Sequence, residues 1–276
     1  MGDLFGNIMM KEVAMNIQEI KAIVQSSDAY NFLHNNTHLK NSLIIIGLGG
    51  SYAYGLNTSN SDLDIRGCAL NSKEEILTYN DFEQVIDSAT DTTIYSFNKL
   101  IKLLTQCNPN CVEILALKPE HYLYVSPVGQ DILDNKKMFL SSKASHTFGG
   151  YAHQQLHRLK VKTEQTGRNK EAVSYNKLCK HMAHLVRLYY MCFDILECGE
   201  IITYREKEHD FLMDIRNGKY LDENRQPIPE FFEIVDELEK RMKYAKENTE
   251  LPDKPDYDTI NEFVMTVNEM VVKDEV

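Results

Sequence analysis

The sequence predicts an α+β protein, with a mixed sheet and helices in residues 1–140 and only helices in residues 141–276, on three observations. Every run with the length and composition of a strand lies in the first half: residues 43–46, 63–70, 82–86, 92–97 and 122–125. From residue 141 onward apolar residues recur at spacings of three and four, the period of a helix with one buried face. Asn, Gly and Pro punctuate the runs at Asn108-Pro109-Asn110, Cys198-Gly199 and Leu251-Pro252-Asp253-Lys254-Pro255, where helices stop and turns begin.

Composition narrows the class. A chain of 276 residues with 43% hydrophobic residues is a globular protein with a sizeable core. No apolar run reaches the roughly 18 residues that a membrane span needs. Lys11, Glu12, Glu19 and Lys21 break up the first thirty residues, so a signal peptide is not expected. Gly6 stands where a myristoylation signal needs Ser or Thr. The six cysteines show no Cys-x-x-Cys spacing and sit mostly in apolar runs, which fits buried thiols in a reducing cytoplasm. Cys107, Cys111 and His121 lack the spacing of zinc ligands. The net charge of -11 argues against a protein that coats nucleic acid. Yet residues 151–190 carry eight Lys or Arg against two Glu, while the remainder carries 22 basic against 39 acidic residues. That segment is either a footprint for a polyanion or a solvated helix face.

Taken in order, residues 11–25 place Val13, Ile17, Ile20 and Val24 at helical spacing, an amphipathic helix covering the sheet. His34 and His38 lie four apart in an Asn-rich stretch that reads as a surface loop in preference to a metal pair. The strand at 43–46 stops in Gly47-Leu48-Gly49-Gly50-Ser51. A short helix starting near Ser51 would point free N–H groups and a hydroxyl at one spot, where a phosphate fits; such a turn also joins elements for structural reasons alone. Asp62 and Asp64 flank Leu63 at the start of the next run. On a strand, i and i+2 share a face, and two adjacent carboxylates repel unless a hard divalent cation sits between them. The alternative is a solvated turn in which Asp62 caps and Asp64 faces water.

Asn71-Ser72-Lys73-Glu74-Glu75 reads as a capped helical turn or an insertion. Asp91 precedes the strand at 92–97, a position aspartate also favours as a plain turn residue. Helices are expected over 100–104, 112–117 and 128–139 and, beyond the strand half, over 154–162, 173–197, 230–248 and 257–272. The longest, 173–197, has a stripe of Leu178, Met182, Leu185, Tyr189, Phe193 and Leu196. Beside it run Lys177 and His181 in one row and Lys180, His184 and Arg187 in the next.

The order strand, Gly50-Ser51, ten residues, Asp62-Leu63-Asp64-Ile65 resembles the signature of DNA polymerase beta superfamily nucleotidyltransferases. The longer strings Gly50-Ser51-Tyr52-Ala53-Tyr54-Gly55 and Ser61-Asp62-Leu63-Asp64-Ile65-Arg66-Gly67 resemble, more particularly, the predicted nucleotidyltransferases of the YcgL type in bacteria and phages, which genome context links to RNA repair. Similar stretches continue through Tyr95-Ser96, Asn108-Pro109-Asn110, Glu113-Ile114-Leu115, Gly150-Tyr151-Ala152, Gln155-Leu156 and Ile215-Arg216-Asn217-Gly218, so most of the chain is covered.

The resemblance implies a polymerase-beta-type catalytic domain in residues 1–140 and a helical substrate- and phosphate-binding domain in 141–276, with the cleft between them. It implies transfer of a nucleoside monophosphate from an NTP to a hydroxyl, with an RNA end such as that of tRNA as the favoured acceptor. Asp62 and Asp64 would hold two Mg2+ ions, or Mn2+ in their place, completed by a third carboxylate: Asp91 first, Asp87 second, Glu113 third. Gly50 and Ser51 would bind phosphates, and Arg66 would contact a phosphate or pair with an aspartate. Lys177, Lys180, His181, His184 and Arg187 would face the triphosphate or an RNA backbone, and the acidic closing helices read as a solvated cover or as an assembly surface for a protein partner. Two rival expectations are AMP transfer to a protein or small molecule, and a nucleotide-binding module without turnover.

Overall fold

The structure, a computed structural model, describes residues 14–164 and 175–275. Val13, and Val173 at the expected start of the longest helix, lie outside the described residues. Helix α1 (Ile17–Ser26) opens on a capping box in which Asn16 and Glu19 each satisfy the other's backbone N–H. A short α2 (Phe32–Asn35) follows. His34 belongs to that turn, and His38 pairs with Glu75 and stacks on Phe82. Strand β1 (Leu43–Leu48), α3 (Gly50–Tyr54) and β2 (Ile65–Ala69) come next, then α4 (Lys73–Leu77), which starts on a capping box of Ser72 and Glu75.

Strands β3 (Gln84–Asp87) and β4 (Thr92–Ser96) form a hairpin, and α5 (Phe97–Leu104) begins where Ser96 caps it. The single helix expected at 112–117 is α6 (Pro109–Val112) continuing as a 3-10 turn, Glu113–Ala116. After β5 (Tyr122–Val125), the helix expected at 128–139 likewise divides, into α7 (Pro127–Asp134) and the turn Lys136–Phe139. Among the described residues the rest is helical: α8 (Lys143–Glu164), α9 (Tyr175–Cys198), α10 (His209–Arg216), α11 (Pro229–Asn248) and α12 (Tyr257–Val272).

The five strands form one mixed sheet in the order β3-β4-β2-β1-β5. Its centre is the antiparallel pair β1–β2 beside the parallel pair β2–β4. Ile46, Leu48, Ile65, Ala69 and Ile94 pack on one face against Ile20, Val24 and Leu33 of the first two helices. The opposite face meets α5, α6 and α7. There Gly129 lies directly over β1, and a Cβ at that position would stand 2.1 Å from the Ile44 carbonyl oxygen.

That second apolar cluster is continuous from Ile44 and Phe97, through Phe148 on α8, to Val267 on α12. Helix α9 runs through its middle. The six residues of the expected stripe are all buried, and Val186, Leu188, Met191, Cys192 and Ile195 are buried as well. The apolar face is therefore much wider than one stripe, because α8, α10 and α11 all pack on this helix. Five of the six cysteines are buried and Cys198 is exposed. Among the described residues no helix is long and apolar enough to cross a membrane.

Leu185 is fully buried at the centre of this helix packing. Leu185→Ala removes its contacts where little can collapse into the space, and we expect urea unfolding to show a loss of about 2–5 kcal/mol.

Candidate active site

The site is built at the end of the sheet where β1 stops. After Leu48 the chain turns through Gly49 and Gly50 into α3, with Gly50 at φ +55°, a conformation that favours glycine. A Cβ at Gly50 would fall 1.8 Å from Asp64 Oδ2, so only hydrogen fits between this turn and that carboxylate. The Gly49 N–H donates to the Asp64 carbonyl at 2.8 Å, fastening the turn to the segment that leads into β2.

The strand expected at 63–70 begins at Ile65, because Leu48, the last residue of β1, is the partner of Ile65. Asp62 and Asp64 therefore lie ahead of the strand, and alternation along a strand does not place them. A turn does: Thr58 N–H donates to Ser61 Oγ at 2.8 Å, and Ser61 N–H to the Thr58 carbonyl at 3.0 Å. Asp62 emerges 81% exposed, with Oδ2 at 3.7 Å from Lys180 Nζ, while Asp64 folds inward beneath Gly50.

Parallel pairing of Ile65 with Thr92 sets Asp64 beside Asp91 at the ends of neighbouring strands. Asp91 itself sits at φ +47°. Arg66 closes the arrangement: Nη1 donates to the Asp91 carbonyl at 2.7 Å, and Nη2 lies 3.4 Å from Asp64 Oδ1 and 3.5 Å from Asp91 Oδ1. Burial, followed by the hydrogen bond and charge of Asp91, pushes Asp64 up to about 7 against the opposing pull of Arg66.

The other two candidate carboxylates have different surroundings. Asp87 accepts from the Thr90 N–H at 2.9 Å and from Thr90 Oγ1 at 2.8 Å, closing the β3–β4 turn. Glu113 is buried behind α3, where it accepts from Tyr54 Oη and lies 3.8 Å from Arg187 Nη1. Burial pushes its carboxyl up while Arg187 and Tyr54 pull it down.

Helix α9 forms the opposite wall of a cleft of about 160 Å³, with Lys180, Ala183, His184 and Arg187 facing Ser51, Asp62 and Asp64. The expected row of donors divides here. Lys180 is exposed at the mouth, whereas Arg187 is 3% exposed, its guanidinium 3.4 Å above the Tyr54 ring and its Nη2 2.8 Å from His184 Nδ1. Burial, then the charge of Arg187, pushes His184 down to about 3, so its imidazole is neutral at ordinary pH. Lys177 and His181 do not line the cleft: Lys177 is exposed on α9, and His181 Nδ1 lies 3.0 Å from Gln155 Oε1 of α8.

Tyr54, Leu56 and Ala183 were not singled out by sequence and do line the cleft, as does Arg216, whose Nη1 donates to the Leu56 carbonyl at 2.7 Å. The signals for Tyr54 are its place inside the string Gly50-Ser51-Tyr52-Ala53-Tyr54-Gly55 and its spacing of three residues from Ser51, one helical turn.

Among the described residues no group of three or more His, Cys, Asp or Glu side chains is placed to hold a metal ion. The chemistry of the carboxylates nevertheless suits a hard divalent cation. Asp64 and Asp91 are close enough to hydrogen-bond, a single guanidinium offsets them, and Asp62 is exposed enough to turn toward them.

The family model for the RNA repair pathway DNA polymerase beta family, RlaP, matches residues 15–266. No curated protein matches the chain. Among solved structures, the chain is similar to a nucleotidyltransferase-like protein from Exiguobacterium sibiricum 255-15, at 9% identity and a TM-score of 0.29, over 93% of this chain and 78% of that one. A likeness so loose assigns nothing by itself.

Two outcomes follow from the geometry. Gly50→Ala drives a methyl group into the Asp64 carboxylate at a strained φ, and we expect it to destabilise the fold by about 1–3 kcal/mol in a denaturant titration. The raised Asp64 also makes stability depend on pH. An acid raised on folding holds its proton more tightly in the folded chain, so its contribution is present at low pH and lost as pH rises through about 7. The thermal midpoint of metal-free protein should fall between about pH 4 and pH 8, and Asp64→Asn should flatten that fall. An equally steep fall in the variant would place the titration elsewhere.

Proposed function

Because the chain belongs to the RNA repair pathway DNA polymerase beta family, a family of nucleotidyltransferases, we propose that it transfers a nucleoside monophosphate from an NTP to a hydroxyl at an RNA end. The observation that carries this reading is the meeting of the Gly50-Ser51 turn, Asp64 and Asp91 at one end of the sheet, with Asp62 and Lys180 facing across the cleft.

In this reading Ser51, through its hydroxyl and backbone N–H, binds the triphosphate, and Lys180 neutralises part of its charge. Asp62 and Asp64, with Asp91, would hold two Mg2+ ions, or Mn2+, and the metal when bound would supply charge neutralisation at the attacking and leaving oxygens. Arg66 keeps the Asp64 and Asp91 carboxylates side by side. Asp91, 61% exposed, is the outer member of that pair, and in this reading it serves the acceptor hydroxyl. Burial of Asp64 beneath Gly50 fixes one carboxylate in place, so the side chains mainly position and offset charge.

Support for an RNA acceptor comes from α8 and α9, which pack together and expose Arg158, Lys160 and Lys177, with Lys180 at the mouth of the cleft. A polyanionic backbone is the natural partner for such a surface on an otherwise acidic chain.

The deciding experiment incubates the protein with each labelled NTP, Mg2+ and total tRNA, and resolves RNA, protein and pyrophosphate. Label should move onto RNA with wild type and stay on the nucleotide with Asp62→Asn/Asp64→Asn, a variant that should remain folded. Label on protein would replace this reading with AMP transfer to a protein. Activity unchanged in the double variant would remove the two aspartates from the site.

A further inference from the structure

Lys180, His184 and Arg187 occupy one face of α9, yet their surroundings give them different work. The neighbours of the Arg187 guanidinium are protein groups: the Tyr54 ring at 3.4 Å, Glu113 at 3.8 Å, Met191 Sδ at 3.0 Å and His184 Nδ1 at 2.8 Å. A guanidinium has donors and no acceptor. The Arg187–His184 contact is therefore a bond in which Nη2–H donates and His184 Nδ1 accepts, which requires Nδ1 to carry a lone pair. In a neutral imidazole with a free Nδ1 the proton is on Nε2.

We propose that Arg187 is a positioning residue that fixes His184 as the Nε2–H tautomer, and that His184 offers this N–H as an uncharged donor to a triphosphate oxygen in the cleft. The proposal rests on the nucleotide-binding reading of the cleft. Glu113, which accepts from the Tyr54 hydroxyl, and the Tyr54 ring flank the guanidinium, so the chain of contacts runs from a buried carboxylate, through Arg187, to a ring on the cleft wall. Burial first, and then the positive charges near it, oppose a second proton on His184. Arg187, His181 and Lys180 share its helix and Arg158 approaches from α8, while the acids Asp62 and Asp64 lie across the cleft and Glu113 lies beyond Arg187. The result is a division of labour: Lys180 supplies mobile positive charge at the mouth, and His184 supplies direction without charge.

The tautomer is read directly from long-range ¹H–¹⁵N spectra of the full chain labelled at histidine, the His184 signals being those lost in His184→Gln. Wild type should give the neutral Nε2–H pattern, unchanged between about pH 5.5 and 8. Arg187→Lys, which keeps the charge but lacks the fork, should lose that single pattern. In calorimetry with Mg2+ and tripolyphosphate, His184→Ala should weaken binding by about tenfold, and His184→Gln, which returns an amide N–H near the Nε2 position, should recover most of it. A charged or Nδ1–H ring in wild type, or an unchanged tautomer in Arg187→Lys, overturns the proposal. So does tripolyphosphate binding that is indifferent to His184→Ala. Failure of wild type to bind either tripolyphosphate or any NTP removes the nucleotide reading itself, and the donor's role with it.

Discussion

The approach of the Gly50 backbone to the Asp64 carboxylate is the constraint on which this site depends. With less than a methyl group's space between them, the turn after β1 and the residue before β2 are held as one unit, and the Gly49–Asp64 backbone bond locks their relative height. The parallel pairing of β2 with β4 then brings Asp91 alongside, and Arg66 bridges the two acids through Nη2. Two carboxylates so placed, one of them raised to about 7, are a local instability that only a cation or a proton relieves. The fold sustains it because the surrounding strands are buried on both faces.

The helical half is a structural partner of that site as much as a wall for it. The Arg205 N–H donates to the Tyr54 carbonyl at 3.0 Å, Thr203 Oγ1 to the Glu113 carbonyl at 2.9 Å, and Arg216 to the Leu56 carbonyl at 2.7 Å. All three bonds come from the segment after α9 and land at the far end of α3 or on the turn behind it. Arg205 is itself buried and paired with Asp194 of α9. The short Gly50–Tyr54 helix is thus tied at its start by Asp64 and at its end by the helical half, which orients a five-residue element too short to be stable alone.

Much of the fold was legible in the chain because its signals are local. The cap at Ser72, the apolar period of α9 and the Cys-Gly stop all act within a few residues and appear where the sequence puts them, whereas Asn108-Pro109 begins a helix, α6, in place of ending one. What failed to read through was local geometry decided by distant partners. The strand at Ile65 starts late because β1 ends at Leu48, and the helix near residue 112 tightens into a 3-10 turn that delivers Glu113 to Arg187. His181, on the same helix as the cleft donors, turns away to Gln155, a choice that depends on how α8 packs.

By itself the sequence brought Gly50, Ser51, Asp62 and Asp64 forward as one candidate group, because a glycine turn and two closely spaced acids are short-range features that a chain cannot separate by more than a loop. It also determined that a basic, apolar-striped helix follows in the second half. Tertiary structure alone decided which acid stands beside Asp64, since Asp91, Asp87 and Glu113 are distinguished only by strand pairing and burial. It alone decided that Arg187 turns inward and His184 stays neutral. Charge and tautomer are set by desolvation and by neighbours that the chain brings together from residues 54, 113, 158 and 187, and no local pattern contains them.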